Sequence, residues 1–284
     1  MEYVITKEMI KNSLVSKGDI SRLTDVLKKA QSGQDITVAF LGGAINQGCN
    51  ATRQENCYAS RAYLWFKDTF NNTNVNFINA GVGATESIIG VHRVKRQVLD
   101  KNPDIIFIDF AVNDKSTIYD KVAYESLIRS ILSIENPPAI VEVFMSNFDG
   151  SNVQAQQIEI GKKYNIPMIS IRDTVHSEIE KGNFKWVDVA TDEVHPNDYG
   201  HFIISELLID FIKSVLDDIN KTDNTKIDKK EIDFESTVFG EKYKNGFIEN
   251  NKCLEVSKIE GFIKDTEGFQ VFRDGWKCNL EKGK

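Results

Sequence analysis

The stretch ITVAFLGGAINQG, residues 36–48, decides how this chain folds. Ile36, Val38, Phe40 and Leu41 make a short β-branched and aromatic run, and Gly42 and Gly43 end it abruptly. A buried strand ends that way where it turns into a loop that carries a site. The residue presented just after the turn is Ala44, at the carboxyl end of the strand, where open α/β sheets place their ligands.

Outward from that strand the chain alternates strand and helix. Before it, Ile20, Leu23, Val26, Leu27 and Ala30 recur at helical spacing, between Asp19 as a cap and Gly33 as a stop. After it, the pattern predicts a helix over 59–70, a strand over 75–78 and a helix carrying Ile88, Ile89, Val91, Val94 and Val98. DIIFIDFAV, 104–112, is the most continuous apolar run and reads as a central parallel strand buried on both faces. Helices over 122–134 and 153–164 and strands over 139–145 and 168–171 follow, then a helix with Ile204, Leu207, Leu208, Phe211, Ile212 and Val215. Such alternation implies βαβ units, and so an α/β fold: a three-layer α/β/α sandwich around a central parallel sheet, flavodoxin-like. Trp65 and Phe66 fall on a helix and read as core.

With 284 residues, 41% of them hydrophobic, the chain can build one large domain with a smaller appendage. A composition break supports the appendage. Residues 220–232, NKTDNTKIDKKEI, are polar and read as a linker between an α/β domain over 1–219 and a β-rich extension over 233–284. That extension, with aromatic runs punctuated by glycine, is short for an independent sandwich, so it either packs on the α/β domain or opens a longer, truncated β-sandwich.

A formal net charge of −7 argues against a nucleic-acid or anionic-membrane partner, because either needs a basic face. A neutral or weakly cationic substrate suits it better. No run approaches the ~20 apolar residues of a membrane span. The N-terminus MEYVITKEMIKNSLV lacks an apolar secretory core, so the chain reads as cytoplasmic as written. Cys49, Cys57, Cys253 and Cys278 show no CxxC spacing, and His92, His176 and His201 have no metal-like partners. No metal or cofactor is expected.

Acyl transfer through a hydroxyl needs a nucleophile, a base, a group orienting the base, and donors for the oxyanion. In DEVHPN, 192–197, one loop carries both members of a base pair, so Asp192 can accept from His195 Nδ1–H and leave Nε2 for the nucleophile. In FAVND, 110–114, Asn113 follows the central strand, and its amide donates without titrating. NAGVGATES, 79–87, opens a helix whose unpaired N–H groups suit an anion. Each block is weak alone; an Asn-Asp after a strand is more often a turn.

Taken in order with GGAINQG, these four blocks resemble the SGNH (GDSL-type) hydrolases, in the subgroup whose first block reads roughly GGSITQG. The resemblance covers about residues 20–217. It implies a serine esterase that removes short acyl groups, acetyl above all, from a carbohydrate. It implies His195 as general base, Asp192 as its orienter and position 44 as the place of the nucleophile. The oxyanion donors would come from Ala44, Gly83, Ala84 and Asn113, with Ala84 where many relatives have glycine. Asn50 and Arg53 in the loop after Ala44, and Trp186 ahead of His195, would contact substrate.

The departure is Ala44 itself, because a methyl group cannot form an acyl-enzyme. Thr37, Ser87 and Ser116 do not occupy the turn that the other blocks face. An engineered Ser→Ala variant made to trap substrate or product, and a natural pseudoenzyme that binds acylated glycan, both fit; a third reading has His195 activate water.

Overall fold

The computed structural model describes residues 4–221, 231–243, 252 and 260–278. The chain divides into two compact units, Met1–Lys244 and Asn245–Lys284. The first opens with helix α1 (Lys7–Ser13), strand β1 (Leu14–Ser16) and helix α2 (Ser21–Gln31), and then enters β2 (Ile36–Gly42) and the single turn α3 (Ala44–Gln47). Next come α4 (Tyr58–Thr69), β3 (Val75–Gly81), α5 (Ser87–Gln97), β4 (Ile105–Asp109), α6 (Ile118–Leu132) and β5 (Ala139–Phe144). The unit closes with α7 (Gln154–Lys163), β6 (Met168–Ser170), α8 (Ile171–Glu180), α9 (Trp186–Val189) and the long α10 (Asp198–Lys221).

The six strands form one sheet in the order β1-β6-β5-β4-β2-β3. All pairings are parallel except β1 with β6, so the sheet is parallel with one antiparallel edge strand. β2 lies between β3 and β4, with Val38 opposite both Phe77 and Ile105. Its successive side chains feed opposite faces, as a strand buried on both sides requires. Val38 and Phe40 join Phe107 and Val141 against α2, α4 and α10, through Leu23, Leu27, Phe66, Leu207 and Phe211. Ala39 and Leu41 join Ile106 and Ile108 on the other side, against Val91 and Val94 of α5 and Leu127, Ile128 and Ile131 of α6. These two cores are the seams between the sheet and the helix layers of the three-layer sandwich. Local capping sets helix starts: Thr117 Oγ1 accepts from Asp120 N at 3.2 Å at the head of α6, and Ser170 Oγ from Asp173 N at 3.0 Å at the head of α8.

Residues 231–243 belong to the first unit by contact, which puts the division later than the composition break suggests. Ile232, Phe234, Val238, Phe239 and Tyr243 pack on the α5–α6 core. They contain no strand, because the N–H groups of Val238, Phe239 and Gly240 all turn onto the buried Glu125 carboxylate, at 2.7, 2.6 and 3.0 Å. Residues 222–230 of the expected linker lie outside the described residues. In the second unit, β7 (Ile263–Lys264) and β8 (Trp276–Lys277) form an antiparallel pair, with Ile263 opposite Lys277.

Candidate active site

β2 delivers Ala44 as the first residue of α3, after Gly43 as its N-cap. A methyl group on Gly43 would lie 2.5 Å from Asn113 Oδ1, so only glycine lets the Asn113 amide lie against this turn. A methyl group on Gly81 would lie 2.3 Å from Gln47 N, and so the end of β3 abuts the other end of α3. The ends of β2 and β3 are further tied by Arg93 of α5, a buried guanidinium that donates to Gly42 O at 2.8 Å and Ala80 O at 2.5 Å. Burial pulls its pKa down to about 10. No motif pointed to Arg93.

The loop before α10 brings the second part. His195 Nδ1 lies 2.8 Å from Asp192 Oδ2, and the backbone N–H groups of His195 and Val194 donate to Asp192 Oδ1 at 2.7 and 2.8 Å. Partial burial raises the Asp192 pKa, but those backbone donors and the His195 ring outweigh it and bring the carboxyl to about 2. An ionised carboxylate can only accept, so Nδ1–H faces Asp192 and Nε2 lies on the opposite edge of the ring.

The loop after α3 is bound to this base pair. Asn50, left-handed at φ 63°, donates through Nδ2 to Asp192 Oδ2 at 3.2 Å and to Thr191 Oγ1. Asp198 accepts from Thr52 N at 2.9 Å and from Asn56 Nδ2 at 2.9 Å. His201, fully buried, accepts from Tyr58 N at Nδ1 and meets Cys49 O through Nε2 at 3.1 Å, a structural staple with its pKa lowered mainly by burial. Arg53 is exposed, on the turn just before Gln54–Asn56.

The block after β3 departs from its expected role in one respect. Gly83 N donates to Gln47 Oε1 at 3.1 Å, so this N–H is engaged with the protein itself. Ala84 is exposed and left-handed at φ 57°, a conformation that favours glycine. Asp114 ties this block to the next: its carboxylate accepts from Ser87 N at 2.7 Å, at the head of α5, and from Gln157 Nε2 at 3.1 Å. Burial lifts its pKa to about 7, although both donors pull the other way.

Trp186 is half-buried. Its Nε1 donates to Asp192 O at 2.6 Å, and its ring stacks on His176 with centroids 5.9 Å apart. The indole lines a small apolar pocket with Ile45, Met145, Val194 and Pro196. Asn50 and Trp186 therefore brace the loop that carries His195, while His201 staples the loop after α3 to α10, roles that only their spatial neighbours could have revealed. Cys49, Cys57 and Cys278 are free thiols, while Cys253 lies outside the described residues. Among the described residues, no cluster of His, Cys, Asp or Glu is placed to hold a metal ion, and no helix is long and apolar enough to cross a membrane.

The turn that presents Ala44 lies at the carboxyl end of a parallel strand in an α/β sheet flanked by helices, the architecture of an acylhydrolase domain. The chain belongs to the GDSL-like lipase/acylhydrolase family, whose model matches residues 40–203. It is similar to the solved structure of a two-domain esterase active on acetylated mannans, at 30% identity and a TM-score of 0.87, over 96% of this chain and 73% of that one. The same esterase co-crystallised with mannopentaose matches at 30% identity and a TM-score of 0.84, over 96% and 72%. An acetyl xylan esterase shares the fold, at 20% identity and a TM-score of 0.52, over 62% of this chain and 98% of that one. No curated protein sequence matches the chain.

Proposed function

We propose that this site is that of a serine-type carbohydrate esterase, removing acetyl groups from a glycan, in a form whose nucleophilic serine is replaced by Ala44. The observation that carries the reading is the base pair. Asp192 is ionised and holds His195 by Nδ1, on a loop braced against the residues that follow Ala44. The similarity to an esterase active on acetylated mannans supports acetylated glycan as the substrate class.

With a serine at 44, His195 Nε2 takes the hydroxyl proton as Oγ attacks the acyl carbonyl carbon. The carbonyl oxygen becomes an oxyanion and meets the N–H of residue 44, the N–H of Ala84 and the Asn113 amide. Gly83 is left out of that set because its N–H faces Gln47. As the intermediate collapses and the ester C–O bond breaks, His195 gives the proton to the departing sugar oxygen and the acetyl group stays on residue 44; water, deprotonated by the same nitrogen, then attacks that acyl group and releases acetate. Asp114 holds the Asn113 loop to α5, and no hydrogen bond within the described residues claims the Asn113 carboxamide.

A base pair complete save for the hydroxyl it would activate supports a serine removed from a working enzyme. The test is Ala44→Ser, assayed on 4-nitrophenyl acetate and on acetylated oligosaccharides. Activity well above that of the present chain supports the reading. An inert serine variant, beside an alanine form that binds acylated glycan, makes the chain a binding module instead. The codon at position 44 of the encoding gene separates an engineered from a natural alanine.

A further inference from the structure

The residues that follow β5, 145–153, form a turn closed on itself. Asn147 N donates to Ser151 O at 3.2 Å, Gly150 N to Asn147 O at 3.0 Å, and Asn147 Nδ2 to Ser151 Oγ at 3.1 Å. Asn152 Nδ2 donates to Met145 O at 2.7 Å and Val153 N to Ala111 O at 2.9 Å, which anchors the turn at both ends. Beneath it, His176 Nε2 meets Ser146 Oγ at 2.9 Å and Asn147 O at 3.1 Å.

At the tip of this turn stands Phe148, 51% exposed. Its backbone N–H donates to Glu193 O at 2.8 Å, and Trp186 Nε1 takes the preceding carbonyl, Asp192 O. Two aromatic residues thus hold consecutive carbonyls of the loop that carries His195, and they differ in what is left over. The Trp186 ring is already stacked on His176, with its N–H used. Phe148 is half-exposed at the tip of a turn bonded at both ends. A singly exposed ring is ordinary on a protein surface, but this one lies beside the His195 loop, on a turn whose hydrogen bonds do not use its side chain.

We propose that Phe148 is the platform on which the glycan chain lies when its ester group reaches the site, so that this residue sets the preference for oligosaccharide esters over small alcohol esters. The flat apolar C–H face of a pyranose matches the face of a phenyl ring, and the backbone bond to Glu193 keeps Phe148 beside the loop that carries His195. The stacking role expected for Trp186 passes to Phe148. This inference rests on the esterase reading of the site, which supplies the carbohydrate.

The present chain lacks a nucleophile, so binding can be measured on it without turnover, by calorimetric titration with acetylated oligosaccharides. Phe148→Ala is expected to weaken binding about tenfold, with Phe148→Trp keeping it, as stacking on a single exposed ring allows. In the Ala44→Ser background, Phe148→Ala should raise KM for the oligosaccharide ester with kcat nearly unchanged, and leave 4-nitrophenyl acetate hydrolysis unchanged. The variant should fold normally, since the ring is exposed. Equal loss on both esters would overturn the proposal by showing that Phe148 acts only through the His195 loop. Unchanged glycan binding, or no glycan binding by the present chain, overturns it too. An inert Ala44→Ser variant whose glycan affinity still depends on Phe148 would sink the esterase reading alone.

Discussion

Asp192 and Glu125 each gather several backbone N–H groups onto one carboxylate, and they differ in where those groups come from. Asp192 takes its pair from Val194 and His195, two and three residues ahead on the same loop, and remains 48% exposed. Glu125 is fully buried on α6 and takes its three from Val238, Phe239 and Gly240, with Tyr164 Oη as a fourth donor at 2.7 Å. Beside it Arg129 donates to Glu241 at 2.8 Å and to Phe234 O at 3.0 Å. One device presets a side chain for chemistry; the other clamps a remote segment to the fold. The local device should matter greatly to turnover and little to stability, and the remote one the reverse.

The largest effect expected on the Asp192 side is that of Ala44→Ser. Nucleophile and base act as a unit, so restoring the hydroxyl should raise turnover of acetyl esters by about 10⁶, the scale at which serine hydrolases lose activity when the unit is broken. Its melting temperature should stay that of the parent. In that background Asp192→Asn should lower kcat by about 10⁴, because an amide allows the imidazole the wrong tautomer. Denaturation should show little change, as the pair is largely solvated. A large stability loss with modest kinetic loss would put Asp192 in the same class as Glu125.

On the other side, Glu125→Ala leaves three N–H groups and a phenol without their acceptor, and should destabilise the first unit by about 3 kcal/mol. Urea denaturation measures this, and new tryptic cleavage at Lys242 should accompany it as residues 231–243 leave the surface of α6. Esterase kinetics of the restored enzyme should be unaltered below the new midpoint. A variant as stable as the parent would mean that the packing of Phe234, Val238 and Phe239 alone holds the segment.

The same contrast explains what could be read from the chain beforehand. β2, β4 and the Asp192–His195 spacing were legible because their signals are local: apolar runs ended by glycine, and a carboxylate three residues from a histidine. β1 was not, since Leu14–Ser16 is only three residues long and gains its identity by pairing antiparallel with β6. α8 was hidden because it follows β6 directly, with Ser170 as both last strand residue and cap, so Ile171 reads as strand. Glu125, Arg129 and the place of residues 231–243 were invisible for a different reason. Their partners lie 105 to 115 residues apart, and no spacing rule reaches that far. Phe234 and Phe239 fall in the extension expected to be β-rich, whereas they cover the α5–α6 core without forming a strand. Asn50 and Trp186 were placed near the site for substrate, whereas their polar groups turn onto the Asp192 loop.

A smaller effect concerns Ala84, which holds φ 57° against its own Cβ. Ala84→Gly relieves that strain while adding freedom to the unfolded chain, so the net gain in stability should be about 0.5–1 kcal/mol. If position 84 donates its N–H to the oxyanion, kcat of the restored enzyme should hold or rise slightly. A fall of about tenfold or more would mean that the Cβ fixes the direction of that donor, at the scale of a partly misaligned oxyanion contact.

The smallest expected effect is the pH dependence that Asp192 brings to stability. Its native pKa, about 2, lies below the ~3.9 of an unfolded aspartate. The unfolded chain therefore binds more protons at this group between those values, and stability rises with pH across that window. The contribution is complete above the unfolded value and is lost as pH falls through about 2. Because the side chain is 48% exposed, solvent screening reduces it to about 0.5 kcal/mol or less. In urea titrations between pH 6 and pH 2, the parent should keep a constant small advantage over Asp192→Asn down to about pH 4 and lose it below that. An advantage already lost near pH 6 would assign the effect to another group and remove the argument that Asp192 is ionised wherever His195 works as a base.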